Sequence, residues 1–361
     1  MKKFLIFMLV LCLLPVSAVF GQDEALQEFA EDNASPDGTA LGIWVSSPAG
    51  VAVAVTGSAD LENNTPATIN DAFRIGSITK TFAAVLMLML VEEGTLSLDD
   101  ALGDWLADDI VGRIPNGDTV TLRQLLDMTS GIPDYLNTDA FLDAMFEDPT
   151  YGWTAAETVT YIYDVQPLFG PGESFEYSNT NYNLIELVIN EATGLSLAEA
   201  MQTYIFAEIG MQNSFVEDPA ALGTGIIQGY ERDDDGRLEN ATFFNDGVGM
   251  ADGGIISTVQ DLEMFIRALF DGQLISAESL VAMRSGTPME EDESETYGLG
   301  LNVIDAGDTF VLGHEGSTAG FTAALWYFEE FDTVVVAFTN EGGSDVIRAE
   351  LVGGAFEIVF E

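Results

Sequence analysis

The chain has 361 residues, of which 60 are acidic and 11 are lysine or arginine, so its formal net charge is −49 at neutral pH. Because nucleic acids and anionic membrane surfaces are bound through clustered basic residues, this balance argues against both as partners. Hydrophobic residues make up 47% of the chain, which is enough for a sizeable core in one large domain.

The first 21 residues have the three parts of a secretory signal peptide. Two lysines precede an apolar run over residues 4–14, small residues follow, and cleavage is expected after Ala18 or Gly21. The run is too short to span a bilayer, so no stable membrane insertion is expected after its removal. We therefore expect a secreted or periplasmic protein with a single mature domain over residues 22–361.

The remaining elements alternate between strand and helix patterns. Residues 40–45 and 51–55 flank a turn and predict a hairpin, and an apolar helix is expected from Ser77 to Leu90. Residues from about 101 to 225 are dominated by helical patterns and loops. Three strands are predicted near the C-terminus, at 309–312, 321–327 and 333–338, followed by a closing helix at 344–360.

This order predicts a mixed α/β (α+β) fold. An antiparallel sheet flanked by helices is expected from residues 22–100 and 226–361, with an inserted, mostly helical lobe at about 101–225. No Pro- or Ser-rich linker separates independent domains.

Lysine and histidine are nearly absent beyond the signal segment, so their positions are informative. The only lysine there is Lys80, in Ser77-Ile78-Thr79-Lys80 at the start of the apolar helix. Residues three apart share a helix face, which brings the amine close to the Ser77 hydroxyl. A serine becomes nucleophilic when a base takes its proton, and the helix N-terminus offers N–H donors to an oxyanion. The alternative is an ordinary helix start with a surface lysine.

Two further motifs follow. In Tyr177-Ser178-Asn179 the phenol is a candidate general base beside a cation, and the amide is a candidate ligand for a substrate carbonyl. The alternative is a loop rich in Tyr and Asn. His314, the only histidine, lies in Gly313-His314-Glu315-Gly316-Ser317 at the end of a predicted strand. A strand beside a nucleophile can offer backbone N–H groups to a substrate, whereas the alternative is a structural histidine.

Together these motifs resemble the serine β-lactamase and penicillin-binding superfamily. The order Ser-x-x-Lys, Tyr-x-Asn, His-x-Gly looks most like the class C β-lactamase and D-alanyl-D-alanine carboxypeptidase-like group, which also includes esterases and D-aminopeptidases. The resemblance covers nearly the whole mature chain. It extends to four further segments, at 125–135, 253–258, 297–300 and 316–321.

The resemblance implies a role for each matching residue. Ser77 would form an acyl-enzyme, and Lys80 and Tyr177 would share the general-base work. Asn179 would hold the acyl-side amide of the substrate. His314 would replace the lysine of Lys-Thr-Gly as a hydrogen-bond donor or proton relay. The backbone N–H groups of Ser77 and Ser317, next to Gly316, would form the oxyanion hole.

Two positions complicate the resemblance. Glu315 stands where many relatives place a threonine that binds a substrate carboxylate, and a carboxylate there would repel such a substrate. Because strand neighbours face opposite ways, Glu315 could instead point into solvent. Glu186 and Asn190 mimic the deacylating segment of class A enzymes, but they lie shortly after Tyr177 on an apparent helix, and we interpret them as structural.

The sequence therefore predicts a secreted serine hydrolase with a small-molecule or peptide substrate. Its expected action is peptidase-like, including D-Ala carboxypeptidase, or esterase-like. The alternatives are a β-lactamase and a non-catalytic penicillin-binding relative. No cofactor is expected, and a single histidine with no cysteine beyond residue 12 argues against a metal site.

Overall fold

The structure is a computed structural model that describes residues 17–233, 235–289, 294–347 and 349–360. The apolar run of the predicted signal peptide lies outside the described residues. Helix α1 begins at Ser17, so it continues through both expected cleavage positions. None of the helices in the described residues is both long and apolar enough to cross a membrane.

An antiparallel sheet of eight strands forms the centre of the molecule, in the order β10-β11-β12-β13-β14-β15-β1-β2. Its strands are β1 (Leu41–Ser47), β2 (Gly50–Thr56), β10 (Thr287–Pro288), β11 (Glu295–Tyr297), β12 (Asn302–Asp305), β13 (Phe310–Thr318), β14 (Phe321–Phe328) and β15 (Thr333–Thr339). Every residue of β15 is buried, because both faces of the sheet are covered.

Among the described residues, seven short strands form three small sheets beside it. These are β3 (Ser58–Asp60) with β4 (Thr65–Pro66), β5 (Phe73–Arg74) with β9 (Ile255–Ser257) and β6 (Phe215–Val216), and β7 (Tyr230–Arg232) with β8 (Leu238–Asn240). The sheet β5-β9-β6 is joined by a buried ion pair in which Arg74 Nε lies 2.7 Å from Glu217 Oε2. Because Arg74 is three residues before Ser77, this ion pair holds in place the segment that leads into the helix beginning at Ile78.

Helices cover the two faces of the large sheet. α1 (Ser17–Asn33) and α12 (Ala349–Phe360) pack on one face, where Val335 and Ala337 point. α2 (Ile78–Glu92) and α10 (Val259–Phe270) pack on the other, where Val334 and Val336 point. The period-2 alternation of β15 thus divides the core into two clusters.

The remaining helices of the described residues are mostly short and lie mainly in the middle of the chain. They are α3 (Asp108–Val111), α4 (Leu122–Leu126), α5 (Asp139–Glu147), α6 (Ala155–Thr158), α7 (Asn179–Thr193), α8 (Leu197–Met201), α9 (Ala207–Ile209) and α11 (Ala277–Arg284). The predicted α/β fold, with an antiparallel sheet flanked by helices, is confirmed.

One predicted strand was too short. The sequence placed its end at Leu312, before two glycines, but β13 continues to Thr318 and pairs with β14 throughout. Its pairing with β12 ends earlier, at Gly313. The last five residues of β13 therefore have no strand partner on that edge within the described chain, and this free edge faces the start of α2.

Candidate active site

Ser77 stands at the N-terminus of α2. Its backbone is helical, and its side chain makes no capping hydrogen bond, so the hydroxyl is not used to close the helix. Gly76 precedes it with a φ of 53°, a left-handed conformation that glycine adopts without strain. The nucleophile predicted from the sequence therefore lies on a sharp entry into a buried helix, at its positive dipole end.

Lys80 lies one turn below and is completely buried. Its Nζ is 2.9 Å from Ser77 Oγ, 2.7 Å from Asn179 Oδ1 and 2.5 Å from the main-chain oxygen of Asp252. A protonated ammonium has three hydrogens, and these three acceptors use all of them. The amine is thus held against the serine, not free on the surface.

The Tyr177-x-Asn179 motif meets Lys80 from the start of α7. Lys80 Nζ lies 5.0 Å from the centre of the Tyr177 ring. Asn179 Nδ2 donates to Asp134 Oδ2 at 2.7 Å, so its amide bridges Lys80 and Asp134. The structure brings Ser77, Lys80, Tyr177 and Asn179 together, as expected, although their catalytic roles stay predictions.

Two glycines let β13 approach Ser77 backbone to backbone. A Cβ on Gly316 would lie 2.0 Å from the main-chain oxygen of Ile75 and 2.9 Å from Ser77 N. A Cβ on Gly76 would lie 2.7 Å from Ser317 N. A side chain at either position would collide with backbone atoms, so both glycines are needed for β13 to lie against the start of α2. The oxyanion hole formed by the N–H groups of Ser77 and Ser317 stays a prediction.

His314 is buried behind this site and does not line the cavity at Ser77. Its Nδ1 lies 2.5 Å from the Glu315 carbonyl oxygen, which can only accept, so Nδ1 carries the hydrogen. Its Nε2 then accepts from the Tyr297 hydroxyl at 3.0 Å. Burial lowers the pKa of His314 to about 3, which keeps the ring neutral. Both nitrogens are occupied, so this geometry favours a positioning role over the expected direct donation to substrate.

Glu315 points away from the site. It pairs across the sheet with Ala324, which belongs to the core cluster under α1 and α12, whereas His314 faces Tyr177 and Tyr297. Of the two alternatives for Glu315, the geometry favours the one in which its side chain points away from the substrate, because successive residues of β13 project to opposite faces.

Two carboxylates that no sequence motif singles out also line the site. Burial raises the pKa of Asp252 to about 7, and its Oδ2 accepts from the Tyr135 hydroxyl at 2.8 Å. Burial also raises the pKa of Asp246, whose Oδ2 accepts from Ala319 N at 2.6 Å. With 60 acidic residues in the chain, no local signal distinguishes these two. The only sequence feature that the two residues share is a glycine directly after each, at 247 and 253.

Glu186 is structural, as interpreted from the sequence. It accepts a hydrogen bond from Ala251 N at 2.9 Å, and burial raises its pKa to about 8. It therefore supports the segment that carries Asp252 and does not line the cavity at Ser77.

The cavity beside Ser77 has a volume of about 90 Å³. It is lined by Ser77, Leu136, Asn179, Asp246, Gly247, Asp252, Gly253, Ser317 and Thr318. A groove of about 400 Å³ shares Asp246, Ser317 and Thr318 with it. Apolar side chains that include Met145, Phe146 and Phe244 line most of this groove. The cavity and groove together give a path from solvent to the nucleophile.

Known proteins are similar to this chain in sequence and in fold. The chain is 26% identical over 322 residues to a penicillin-binding protein of Bacillus subtilis, covering 84% of this chain and 68% of that protein. It is 29% identical over 308 residues to a D-aminopeptidase of Brucella anthropi, covering 84% of this chain and 56% of that enzyme. A crystal structure of a D-stereospecific amidohydrolase from Streptomyces sp. matches with a TM-score of 0.80 at 26% identity, covering 92% and 99% of the two chains.

These matches agree with the motifs and the fold. The chain spans little more than half the length of the D-aminopeptidase, so the activity of that whole enzyme does not transfer with the match. The model of the protein family described as Beta-lactamase matches residues 30–357, which is nearly the entire described chain. The resemblance inferred from the motifs is thereby confirmed, and the chain belongs to the Beta-lactamase family of serine hydrolases.

Proposed function

We propose that this protein is a secreted amidase or peptidase that forms an acyl-enzyme on Ser77 and acts on D-configured amino-acid amides or short peptides. The observation that carries the proposal is the 2.9 Å contact between Lys80 Nζ and Ser77 Oγ beside the cavity. A buried amine in contact with a serine at a helix N-terminus is the arrangement that activates a hydroxyl for acyl transfer.

Acylation uses the groups around Ser77. Ser77 Oγ attacks the substrate carbonyl carbon, and its proton passes to the Tyr177 and Lys80 pair. The carbonyl electron pair moves onto oxygen, where the N–H groups of Ser77 and Ser317 stabilise it. When the carbonyl re-forms, the C–N bond breaks. The leaving nitrogen takes the proton and departs as an amine.

Deacylation repeats these steps with water as the nucleophile. The same base takes a proton from the water as its oxygen attacks the ester carbon. The C–O bond to Ser77 then breaks, Oγ regains the proton, and the product leaves as a carboxylic acid. Asn179, held between Lys80 and Asp134, keeps Lys80 in place during both halves.

The substrate class rests on two observations. Two of the relatives described above are a D-aminopeptidase and a D-stereospecific amidohydrolase. In the described part of the chain, neither the cavity nor the groove is lined by a lysine or arginine that could bind the carboxylate of a penicillin or a C-terminal peptide.

The proposal that the protein is secreted rests on the signal-like first 21 residues, and N-terminal sequencing of exported protein would test it.

Intact-mass measurement after exposure to a fluorophosphonate tests the nucleophile. We expect a single adduct that is absent from Ser77→Ala and retained by Ser97→Ala, a matched control at an exposed serine outside the cavity. Turnover of D- and L-amino-acid p-nitroanilides would then test the substrate class, with the D form expected to be faster.

Other outcomes would change the assignment. A penicillin adduct with rapid nitrocefin hydrolysis would identify a β-lactamase, and a preference for short p-nitrophenyl esters would identify an esterase. Folded protein that gives no adduct with either reagent would indicate a non-catalytic binding relative.

A further inference from the structure

The wall of the catalytic cavity is acidic, and acyl transfer makes no use of this charge. Asp246 and Asp252 line the cavity beside Ser77, and Asp246 and Glu231 line the adjoining groove. Lysine and arginine are absent from the lining of both within the described residues. A substrate that reaches Ser77 therefore passes carboxylates and meets no surface cation.

Each of the two cavity carboxylates has an oxygen without a partner. Asp252 is 4% exposed, and its Oδ1 has no hydrogen-bond partner within the described chain. Asp246 Oδ1 is likewise buried and unpartnered among the described residues. Asp252 lies close to the residue that follows Asp246, because a Cβ on Gly247 would lie 3.6 Å from Asp252 Oδ1. Burying unpaired acceptors is costly, so two of them on residues that line one cavity point to a missing donor.

The nearby cations do not supply that donor. Lys80 directs its three hydrogens to Ser77 Oγ, Asn179 Oδ1 and the main-chain oxygen of Asp252. Arg74 is paired with Glu217, and its remaining contacts are main-chain oxygens. The orphan oxygens of Asp246 and Asp252 are thus left for a ligand.

We propose that Asp246 and Asp252 form an ammonium subsite, which selects substrates with a free, protonated amine next to the reacting carbonyl. The inference rests on the proposed function and names its substrate class more closely. The cavity volume of about 90 Å³ is roughly three times a water molecule's share of the liquid, which suits an ammonium group on one carbon. The apolar groove at Met145, Phe146 and Phe244 takes the side chain.

A matched pair of substrates tests the subsite: D-phenylalanine p-nitroanilide and its N-acetyl derivative. The wild type is expected to prefer the free amine in kcat/KM. Because hydrogen bonds between charged groups are stronger than those between neutral ones, Asp246→Asn should reduce that preference about 10- to 100-fold. The loss should appear mainly in KM for the free-amine substrate. Glu315→Gln removes a carboxylate from the other face of β13 and should leave the ratio unchanged.

Two measurements distinguish a failure of the ammonium subsite from a failure of the proposed acyl-enzyme function. Asp246→Asn should still form the Ser77-dependent fluorophosphonate adduct, which shows that its nucleophile is present, and Glu315→Gln should form the adduct at the wild-type rate. Calorimetry on Ser77→Ala protein should show binding of D-phenylalaninamide and at least about tenfold weaker binding of its N-acetyl form, without any turnover or Asp246 variant.

The outcomes are distinguishable. Equal turnover of the two anilides by the wild type, or an unchanged preference in Asp246→Asn, would overturn the ammonium subsite alone. Absence of both the fluorophosphonate adduct and Ser77-dependent turnover would overturn the proposed function. In that case the calorimetric comparison would still decide for or against ammonium binding.

Discussion

The Lys80 side chain connects the nucleophile, the Tyr177 ring and the segment that carries Asp252. Its three contacts are with neutral oxygen atoms, those of the Ser77 hydroxyl, the Asn179 amide and the Asp252 main chain. A lysine amine in such a position can serve as a general base. An arginine at this position would keep the charge but could not act as a base.

The substitution Lys80→Arg should therefore separate charge from proton transfer. We expect kcat/KM to fall about 10²- to 10⁴-fold, the usual contribution of a positioned general base. The rate of fluorophosphonate labelling should fall with it, measured by intact mass over time. Labelling at the wild-type rate in Lys80→Arg would show that Lys80 acts only through its charge.

Asp252 should make stability depend on pH. Its folded-state pKa of about 7 lies above the ordinary value of 3.8, so between these pH values the folded protein holds a proton that the unfolded chain has released. Its contribution to stability is full below pH 4 and is lost as the pH rises through 7. At 1.36 kcal/mol per pKa unit, the loss is at most about 4 kcal/mol.

Urea unfolding of the wild type and Asp252→Asn between pH 4 and 8 measures this loss. Because asparagine does not titrate, the free energy of unfolding of the wild type should fall relative to the variant across this range. Parallel curves for the two proteins would contradict the assignment of the buried proton to Asp252.

At the scale of elements, α1 and α12 form a second layer on the sheet face opposite the active site. Leu26 and Ala30 of α1 and Leu351 and Ala355 of α12 are buried there. Two adjacent glycines in α12 meet different surroundings. A Cβ on Gly353 would have nothing within 4 Å, whereas one on Gly354 would lie 2.7 Å from the Phe29 ring.

The neighbouring substitutions Gly353→Ala and Gly354→Ala should therefore have opposite effects. Alanine in a helix interior is favoured over glycine by about 0.5–1 kcal/mol, and Gly353→Ala should gain that amount. Gly354→Ala must push Phe29 aside and should cost about 1–3 kcal/mol, as overpacking does. Thermal unfolding of the two variants checks both signs, and activity should be unchanged because neither glycine is near Ser77. A stabilising Gly354→Ala would show that α1 is not packed as described.

The sequence predicted most of the long elements well, apart from the C-terminal half of β13, and the short elements poorly. The hairpin of β1 and β2, helix α2 and the succession β13-β14-β15 follow from hydrophobic pattern and turn residues. Strands of two or three residues, such as β5 and β9, carry no such pattern, because tertiary pairing and not local preference makes them extended. The motifs identified Ser77 and Lys80, but only folding could show that Asp246 and Asp252 face them.

At the scale of the whole molecule, unbalanced negative charge dominates. Each arginine in the described part of the chain contacts a carboxylate, as the ion pairs of Arg74, Arg113, Arg123, Arg232, Arg237, Arg267 and Arg284 show. With 60 acidic residues and 11 basic ones, the basic residues are too few to neutralise most of the carboxylates, which repel one another. Such self-repulsion destabilises the compact state.

Sodium chloride should therefore stabilise the protein. Raising the concentration from about 0.05 to 1 M shortens the Debye length to about 3 Å and screens the repulsion. We expect the melting temperature to rise by several degrees, mostly below about 0.5 M. A linear rise continuing to high salt would instead indicate a general salting-out effect, and a flat curve would contradict the prediction.

Because lysine is so scarce, chemical modification of Lys80 can report how often the active site opens to solvent. Beyond residue 3, the only amine on a side chain is that of Lys80, which is fully buried. An N-hydroxysuccinimide ester acylates accessible amines, so the native protein should be modified only near its N-terminus. Slow incorporation at Lys80 would then measure how often the active site exposes its interior. A tightly bound substrate analogue should slow that incorporation in proportion to its occupancy.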